Sequence, residues 1–328
     1  MRYVPYDELD GRPNLILDGS PTRGTVLTVT HWPGYPPPEA VAADLSAQMA
    51  FRLNDHPELV DGIELVSNNH FDQDGLVSIF AVTRPDEALP RRAFLEDVAG
   101  AGDFGTYRDR NAARVSMVLS AYADGRGEME LPADYGEQTA VLYGVMLERL
   151  ASICDDVDAH RELWADEDAT LTASEAAIES GTVTIEEFAD VDLAVVDVPT
   201  GGPSGGGHRF GGTWLDGLHP MAVNNATNCL VVATVRRRSY TIEQRYESWV
   251  QLRSRPLRLR RDLAPFVRRL QDAERGDAVW SATAVSGLTP IASSGGGDST
   301  IERAQFGELL IEHLRTAPPA WDPYVATA

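Results

Sequence analysis

The sequence predicts an α/β protein: a mostly parallel sheet with covering helices, followed by a smaller C-terminal α+β domain. Three observations lead there. Short β-branched runs alternate with helical periodicities through the N-terminal half, strand-like runs end on polar residues, and the alternation gives way near residue 190 to paired strands around a glycine-rich break. The expected domains are 1–190 and 191–328.

In chain order, Asn14–Asp18 and Thr25–Thr30 read as strands, the second running straight into His31. Pro36-Pro37-Pro38 is expected to open a helix, because Val41, Leu45, Met49 and Leu53 recur every four residues. A strand over 62–67 follows, then a turn and a helix from about Gly75 with residues 78–82 as its interior. Helices are expected over 91–99, 111–123 and 137–154, with an acid flanked by glycines (Gly102-Asp103-Phe104-Gly105) between the first two. Residues 155–190 are acidic and helical in character, and Thr172-Ala173-Ser174-Glu175 has a capping-box pattern. Leu193–Val198 reads as a strand. Thr200–Thr213 then carries seven glycines without a Lys-Ser/Thr ending, so it is not a Walker loop. Cys229–Val235 and Tyr240–Leu252 read as an antiparallel pair, with Tyr246 and Trp249 as core residues rather than a base-stacking platform. An arginine-rich helix to Gln271, a flexible Ser/Gly loop at Ser293–Ser299 and a final amphipathic helix complete the reading.

Composition narrows the function classes. Hydrophobic residues make up 43% of 328, enough for a sizeable core and against whole-chain disorder. No apolar run approaches the roughly 18 residues of a membrane span, and the N-terminus has no signal-like apolar stretch, so a cytoplasmic protein without a membrane partner is expected. Two cysteines, Cys154 and Cys229, are too few for a disulfide framework or a thiolate cage. The net charge is −22 with no lysine at all, which disfavours binding to nucleic acid across the surface. Against that background eleven arginines between Arg236 and Leu270 face only Glu243, Glu247 and Asp262. Such a segment either binds anions or docks on its own acidic chain, and the docking reading is preferred.

The chemistry concentrates in Leu65–Ser78, where an apolar run feeds into His70, Asp72 and Asp74 at alternate positions and Gly75 opens a new apolar run. A strand turning into a helix would place these side chains at the carboxyl edge of the sheet, where open α/β proteins bind ligands. Extended backbone would point Asp72 and Asp74 to one side, close enough to share divalent cations, with His70 on the same face. A mixed His/Asp set suits manganese or another transition ion. An EF-hand is excluded, because the twelfth position from His70 is Ala81 rather than a bidentate Glu.

His70-x-Asp72-x-Asp74-Gly75-x-x-Ser78 resembles the first motif of the DHH phosphoesterases. The resemblance implies a pair of manganese ions, or another divalent metal, held by His70, Asp72 and Asp74 at the edge of a parallel sheet, with Asp103 as a further metal ligand. It also implies a small phosphorylated substrate: a phosphate ester, a nucleotide or a short oligonucleotide. Gly206-Gly207-His208-Arg209 and Gly217-Leu218-His219-Pro220 are similar to the family's substrate-holding glycine–histidine segment, which makes His208, Arg209 and His219 candidate phosphate contacts. The Asp-His-His triplet of that family is missing, and His31 is the nearest substitute, so Asp74 and His31 are the candidate catalytic groups. A layout like this is also similar to an uncharacterised bacterial family. The competing expectations are a non-catalytic scaffold of the same fold with an incomplete metal site, and a metal-dependent hydrolase of a non-phosphate bond. No sequence-specific nucleic-acid partner is expected, and a homodimer is the candidate assembly.

Overall fold

The computed structural model describes residues 1–199 and 217–325 and divides the chain into two units. Among the described residues, unit 1 comprises Met1–Asp168 together with Val250–Arg255, and unit 2 those of 169–249 and 256–325. The break expected at 190/191 falls inside unit 2, between two strands that pair with each other.

Unit 1 is built on a four-stranded parallel sheet: β1 (Arg2–Tyr3), β2 (Asn14–Leu17), β3 (Thr25–Val29) and β4 (Leu65–Ser67), in the order β1-β4-β2-β3. Every residue of β2 is buried, as expected of an apolar run in a covered parallel strand. The helices are α1 (Ser46–Leu53), α2 (Gln73–Thr83), α3 (Pro85–Ala88), α4 (Arg92–Asp103), α5 (Arg110–Ala123) and α6 (Tyr135–Asp155), and α7 (Arg161–Glu179) continues into unit 2. α2 is the central element. Gln73 to Val82 are all buried, and the helix touches β1 and β2 as well as α1, α4 and α6. A helix apolar on every side must be enclosed this way. Aspartates start three of these helices: Asp72, Asp109 and Asp134 accept the Gly75, Asn111 and Glu137 amides.

β2 lies between β4 and β3, so the chain passes from β2 to β3 on one side and then back across β2 to β4. Parallel open sheets bind ligands where strand order reverses like this, at the strands' carboxyl ends. Asp18 leaves β2 there, His31 follows β3, and His70 follows β4.

Unit 2 carries a six-stranded mixed sheet, order β10-β11-β8-β7-β6-β5. Its strands are β5 (Thr184–Phe188), β6 (Leu193–Val198), β7 (Val231–Arg236), β8 (Ser239–Gln244), β10 (Val279–Ala282) and β11 (Ile291–Gly295). Among the described residues only β6 and β7 pair in parallel, and α8 (Pro220–Ala226) lies between them in the chain. α9 (Ala264–Ala273) and α10 (Arg303–Thr316) bury Phe266, Leu270, Phe306 and Leu310 with Tyr240 and Trp280 of the sheet. A two-stranded sheet pairs β9 (Arg260–Arg261) with β12 (Pro319–Trp321).

Several local expectations are corrected. The first helix starts at Ser46, not at the prolines: Val41 and Ala42 bond back to Pro38 in a turn, and prolines disfavour helix in the residues before them. Thr172–Glu175 caps nothing, since it lies inside α7, where the Ser174 hydroxyl donates to the Thr170 carbonyl. Residues 184–188 form β5, an edge strand concealed by its charges. Ser293–Ser299 is not simply a loop: β11 pairs with β8 and β10, its Ala292 and Ser294 face inward, and the Ser294 hydroxyl accepts the Tyr240 amide. Small residues there leave room for Tyr240 stacked on Phe306 at 4.3 Å. The strand expected over Tyr240–Leu252 stops at Gln244. The arginine-rich helix is restricted to α9, which contains Arg268 and Arg269. Arg260 instead buries its guanidinium among the carbonyls of Arg245, Val285, Gly287 and Leu288 and the Ser248 hydroxyl. That contact belongs to docking on its own chain.

Candidate metal centre

The carboxyl ends of β2, β3 and β4, with the N-termini of α1 and α2, bring five sequence-predicted side chains together: His31, His70, Asp72, Asp74 and Asp103. Asp18 joins them, a residue the sequence reading passed over. The arrangement consists of two triads, Asp18–His70–Asp72 and Asp18–His31–Asp74, each with ligand atoms within 4.8 Å of one another. Asp18 is common to both. Its Oδ1 lies 3.7 Å from His31 Nε2 and its Oδ2 lies 3.4 Å from His70 Nε2, so one carboxylate faces two groups through its two oxygens.

Asp72 and Asp74 do not share one side of an extended strand, as the alternation suggested. The helix already begins at Gln73, which sends the two acids to different triads. Asp72 caps α2 through Oδ1, 2.8 Å from the Gly75 amide, and its Oδ2 meets His70 Nε2 at 2.8 Å. Asp74, in the first turn, accepts the amides of Ser46 and Ala47 at 2.8 Å each. These buried amides are first-turn donors without a partner inside α1, a place that favours an anion. His31 Nδ1 lies 2.7 Å from the Asp44 carbonyl, which can only accept, so Nδ1 carries the proton. Its Nε2 is left as a lone-pair donor toward Asp18, Asp74 at 4.0 Å and Asp103 at 3.4 Å. A hydrogen bond on the far nitrogen is the usual way a metal-binding histidine is oriented. Asp103, the last residue of α4, stands beside the second triad without belonging to either set.

Close approach of backbone makes the cluster possible. Asp18 has φ +53°, a conformation that aspartate tolerates better than most residues, and Gly19 follows it. A Cβ on Gly19 would lie 2.3 Å from Asn69 Oδ1. A Cβ on Gly75 would lie 2.4 Å from Asn68 Nδ2 and 2.6 Å from the Tyr143 hydroxyl. Gly75→Ala is therefore expected to cost about 1–3 kcal/mol, read as a lowered denaturation midpoint. An unchanged midpoint would show that Asn68 and Tyr143 can yield.

Electrostatically the cluster is over-supplied with negative charge. Asp18, Asp72, Asp74 and Asp103 are all withdrawn from solvent, with only two imidazoles among them. Burial, then the charges of Asp72 and Asp74, pushes Asp18 up to about 7; burial, then Asp72, pushes Asp74 up to about 7. Burial works against a charged His70, but Asp72 and Asp18 outweigh it and hold its pKa well above the ordinary value. The reciprocal effect lowers Asp72: burial would raise it, and the His70 charge prevails. Burial keeps His31 below its ordinary range despite Asp18.

The donor set fits a pair of divalent cations. Two ligands each about 2.1 Å from one ion stand about 3.0–3.4 Å apart at octahedral or tetrahedral angles. The separations of 3.4 Å to 4.0 Å around His31 Nε2 and of 2.8 Å and 3.4 Å around His70 Nε2 surround that range. Asp18 Oδ2 and His70 Nδ1 are buried without a hydrogen-bond partner among the described residues. Asp18 Oδ2 has only the 3.4 Å approach of His70 Nε2 to offset its burial, and a cation between the two groups would satisfy it more fully.

His219 belongs to unit 2, where it is buried at the N-terminus of α8 and its Nδ1 accepts the Met221 amide. His208 and Arg209 lie outside the described residues.

Fold and site together define a mixed α/β protein with a histidine–carboxylate cluster at the carboxyl edge of a parallel sheet. By sequence the chain belongs, over residues 1–325, to a family of unknown function, DUF6687. No curated protein and no solved structure matches it.

Proposed function

We propose that this protein is a divalent-metal-dependent phosphoesterase acting on a small phosphate ester, a nucleotide or a short oligonucleotide. The observation that carries the reading is Asp18, whose two oxygens face two separate His/Asp groups. Such a shared carboxylate is what a pair of cations about 3.5–4 Å apart needs. The likeness of His70-x-Asp72-x-Asp74-Gly75 to the DHH motif supports the same chemistry.

His70, Asp72 and Asp18 would hold one ion, and His31, Asp74 and Asp18 the other, with Asp103 alongside; manganese suits the mixed nitrogen and oxygen donors. When bound, such a pair supplies Lewis acidity toward phosphoryl oxygens and makes a water nucleophilic at neutral pH. The chain's own contribution is placement. The Asp44 carbonyl keeps the His31 proton on Nδ1, and the amides of α1 hold both Asp74 oxygens. Near-complete burial of His31, Asp74 and Asp18 keeps bulk water out and strengthens each charge interaction. A reducing, cytoplasmic setting belongs to this reading, consistent with free Cys154 and Cys229; among the described residues no helix is long and apolar enough to cross a membrane.

The test is metal analysis of protein purified without chelator, paired with hydrolysis of a generic aryl phosphate diester. About two manganese-like ions per chain and manganese-supported turnover, abolished in Asp74→Asn, are expected. Protein that binds no divalent ion would be a non-catalytic scaffold. Ions bound without phosphoester turnover, but with amide cleavage, would move the activity to another bond.

A further inference from the structure

Resting on the two-ion reading, we infer that Asp44 and Gln251 are positioning residues chiefly for the second cation group. Asp44 acts through the short segment Asp44–Ala47 and Gln251 through the backbone of His31 and Trp32. The Trp32 ring is the link to the other group, stacked on His70 at 5.1 Å. Every member of the triad Asp18–His31–Asp74 is oriented by this one stretch of backbone. The Asp44 carbonyl accepts from His31 Nδ1 at 2.7 Å, the Ser46 hydroxyl donates to Asp18 Oδ1 at 2.7 Å, and the Ser46 and Ala47 amides hold Asp74. Among the described residues the other triad takes no hydrogen bond from this segment except at the shared Asp18; Asp72 is fixed by the Gly75 amide and by His70.

The segment is itself anchored by residues far away in sequence. Val250–Arg255 folds with unit 1, and there the Arg253 and Ser254 amides donate to Asp44 Oδ1 at 2.5 Å and 2.8 Å. Two residues earlier, the Gln251 amide donates to the His31 carbonyl at 2.8 Å and its Nε2 donates to the Trp32 carbonyl at 2.7 Å. Gln251 is almost wholly buried between Val250 and Leu252, so these bonds form out of competition with water. The strap thus grips both the backbone that bears His31 and the carboxylate of the residue whose carbonyl sets the His31 tautomer. Groups that orient a ligand in this way typically change metal affinity about 10–100-fold when removed.

The experiment is a manganese titration followed by electron paramagnetic resonance on full-length wild type, Asp44→Ala, Asp44→Asn and Gln251→Met. Two neighbouring ions in wild type give an exchange-coupled spectrum, whereas a single ion gives an isolated six-line signal. Asp44→Ala and Gln251→Met should keep one tight ion, weaken the second by about tenfold or more, and convert the coupled spectrum into the isolated one. Asp44→Asn retains an acceptor oxygen for the strap amides and should restore most of the coupling. If Asp44→Ala fails to fold, Gln251→Met against Asp44→Asn decides the matter. Coupled spectra and affinities unchanged in Asp44→Ala and Gln251→Met, or both ions weakened equally in folded protein, would overturn the inference while leaving two-ion binding standing. Wild type that binds no manganese would instead remove the metal reading itself.

Discussion

Replacing Asp18 by Asn should abolish paired ion binding and lower phosphoester turnover by about 10³-fold or more, equivalent to about 4 kcal/mol of lost transition-state stabilisation. The substitution keeps the side chain's shape but removes the charge and turns one oxygen into a donor. Both triads then lose a ligand at once, because Asp18 Oδ1 faces His31 and Oδ2 faces His70. Asp103→Asn, by contrast, changes a residue that stands 3.4 Å from His31 but belongs to neither triad, and should weaken the cluster less. The same Asp18→Asn change should raise the melting temperature of chelator-treated protein at pH 8, since it removes one of several crowded, buried carboxylates. Loss of metal together with gain of metal-free stability is the signature of a group retained for its site rather than for folding. Turnover and ion stoichiometry equal to wild type in Asp18→Asn would sink the shared-ligand arrangement.

The second large effect is on the pH dependence of stability. Asp18 and Asp74 titrate near 7 in the folded protein, against an ordinary carboxylate value of about 3.9 when unfolded. Between these values the folded state keeps protons that the unfolded state has released, so unfolding free energy falls as pH rises. Their stabilisation is complete below the unfolded pKa and is lost as pH climbs through about 7. His70, also raised, acts in the same direction and gives up its contribution above its ordinary range. The lowered Asp72 and His31 act oppositely. Asp72 loses its contribution as pH falls through its depressed folded value, while His31 disfavours the folded state below its ordinary pKa. Chelator-treated protein should therefore melt at least about 5 °C higher at pH 5.5 than at pH 8. Manganese should reverse the order, because cations displace the protons and bind better as they leave. A metal-free melting temperature that is flat or rises over that interval, or one matched by Asp74→Asn, would separate the effect from this cluster.

How much of this was legible in the sequence depends on chain distance. His70, Asp72 and Asp74 stand within five residues of one another and stood out at once. His31 and Asp103 could be nominated as a strand-end histidine and a glycine-flanked acid. Asp18 carried the same kind of signal, an acid after a buried apolar run and before a glycine, but without a neighbouring ligand it resembled any turn aspartate. Asp44 and Gln251 had no signal: one acts through its carbonyl and its strap contacts, the other through bonds to main-chain carbonyls.

From residue order alone came the alternating α/β plan, the central apolar strand β2, the apolar helix after Gly75 and most of the side chains that the fold gathers into the histidine–carboxylate cluster. These follow from local patterning, since burial and helix starts are written in the spacing of a few neighbouring residues. Tertiary structure alone decided that β2 sits between β4 and β3, and hence that Asp18 is shared, that Asp72 and Asp74 part company, and that a strap from residues 250–255 secures His31. Strand order and long-range hydrogen bonds depend on which surfaces meet across many residues of chain, and no local periodicity records that choice.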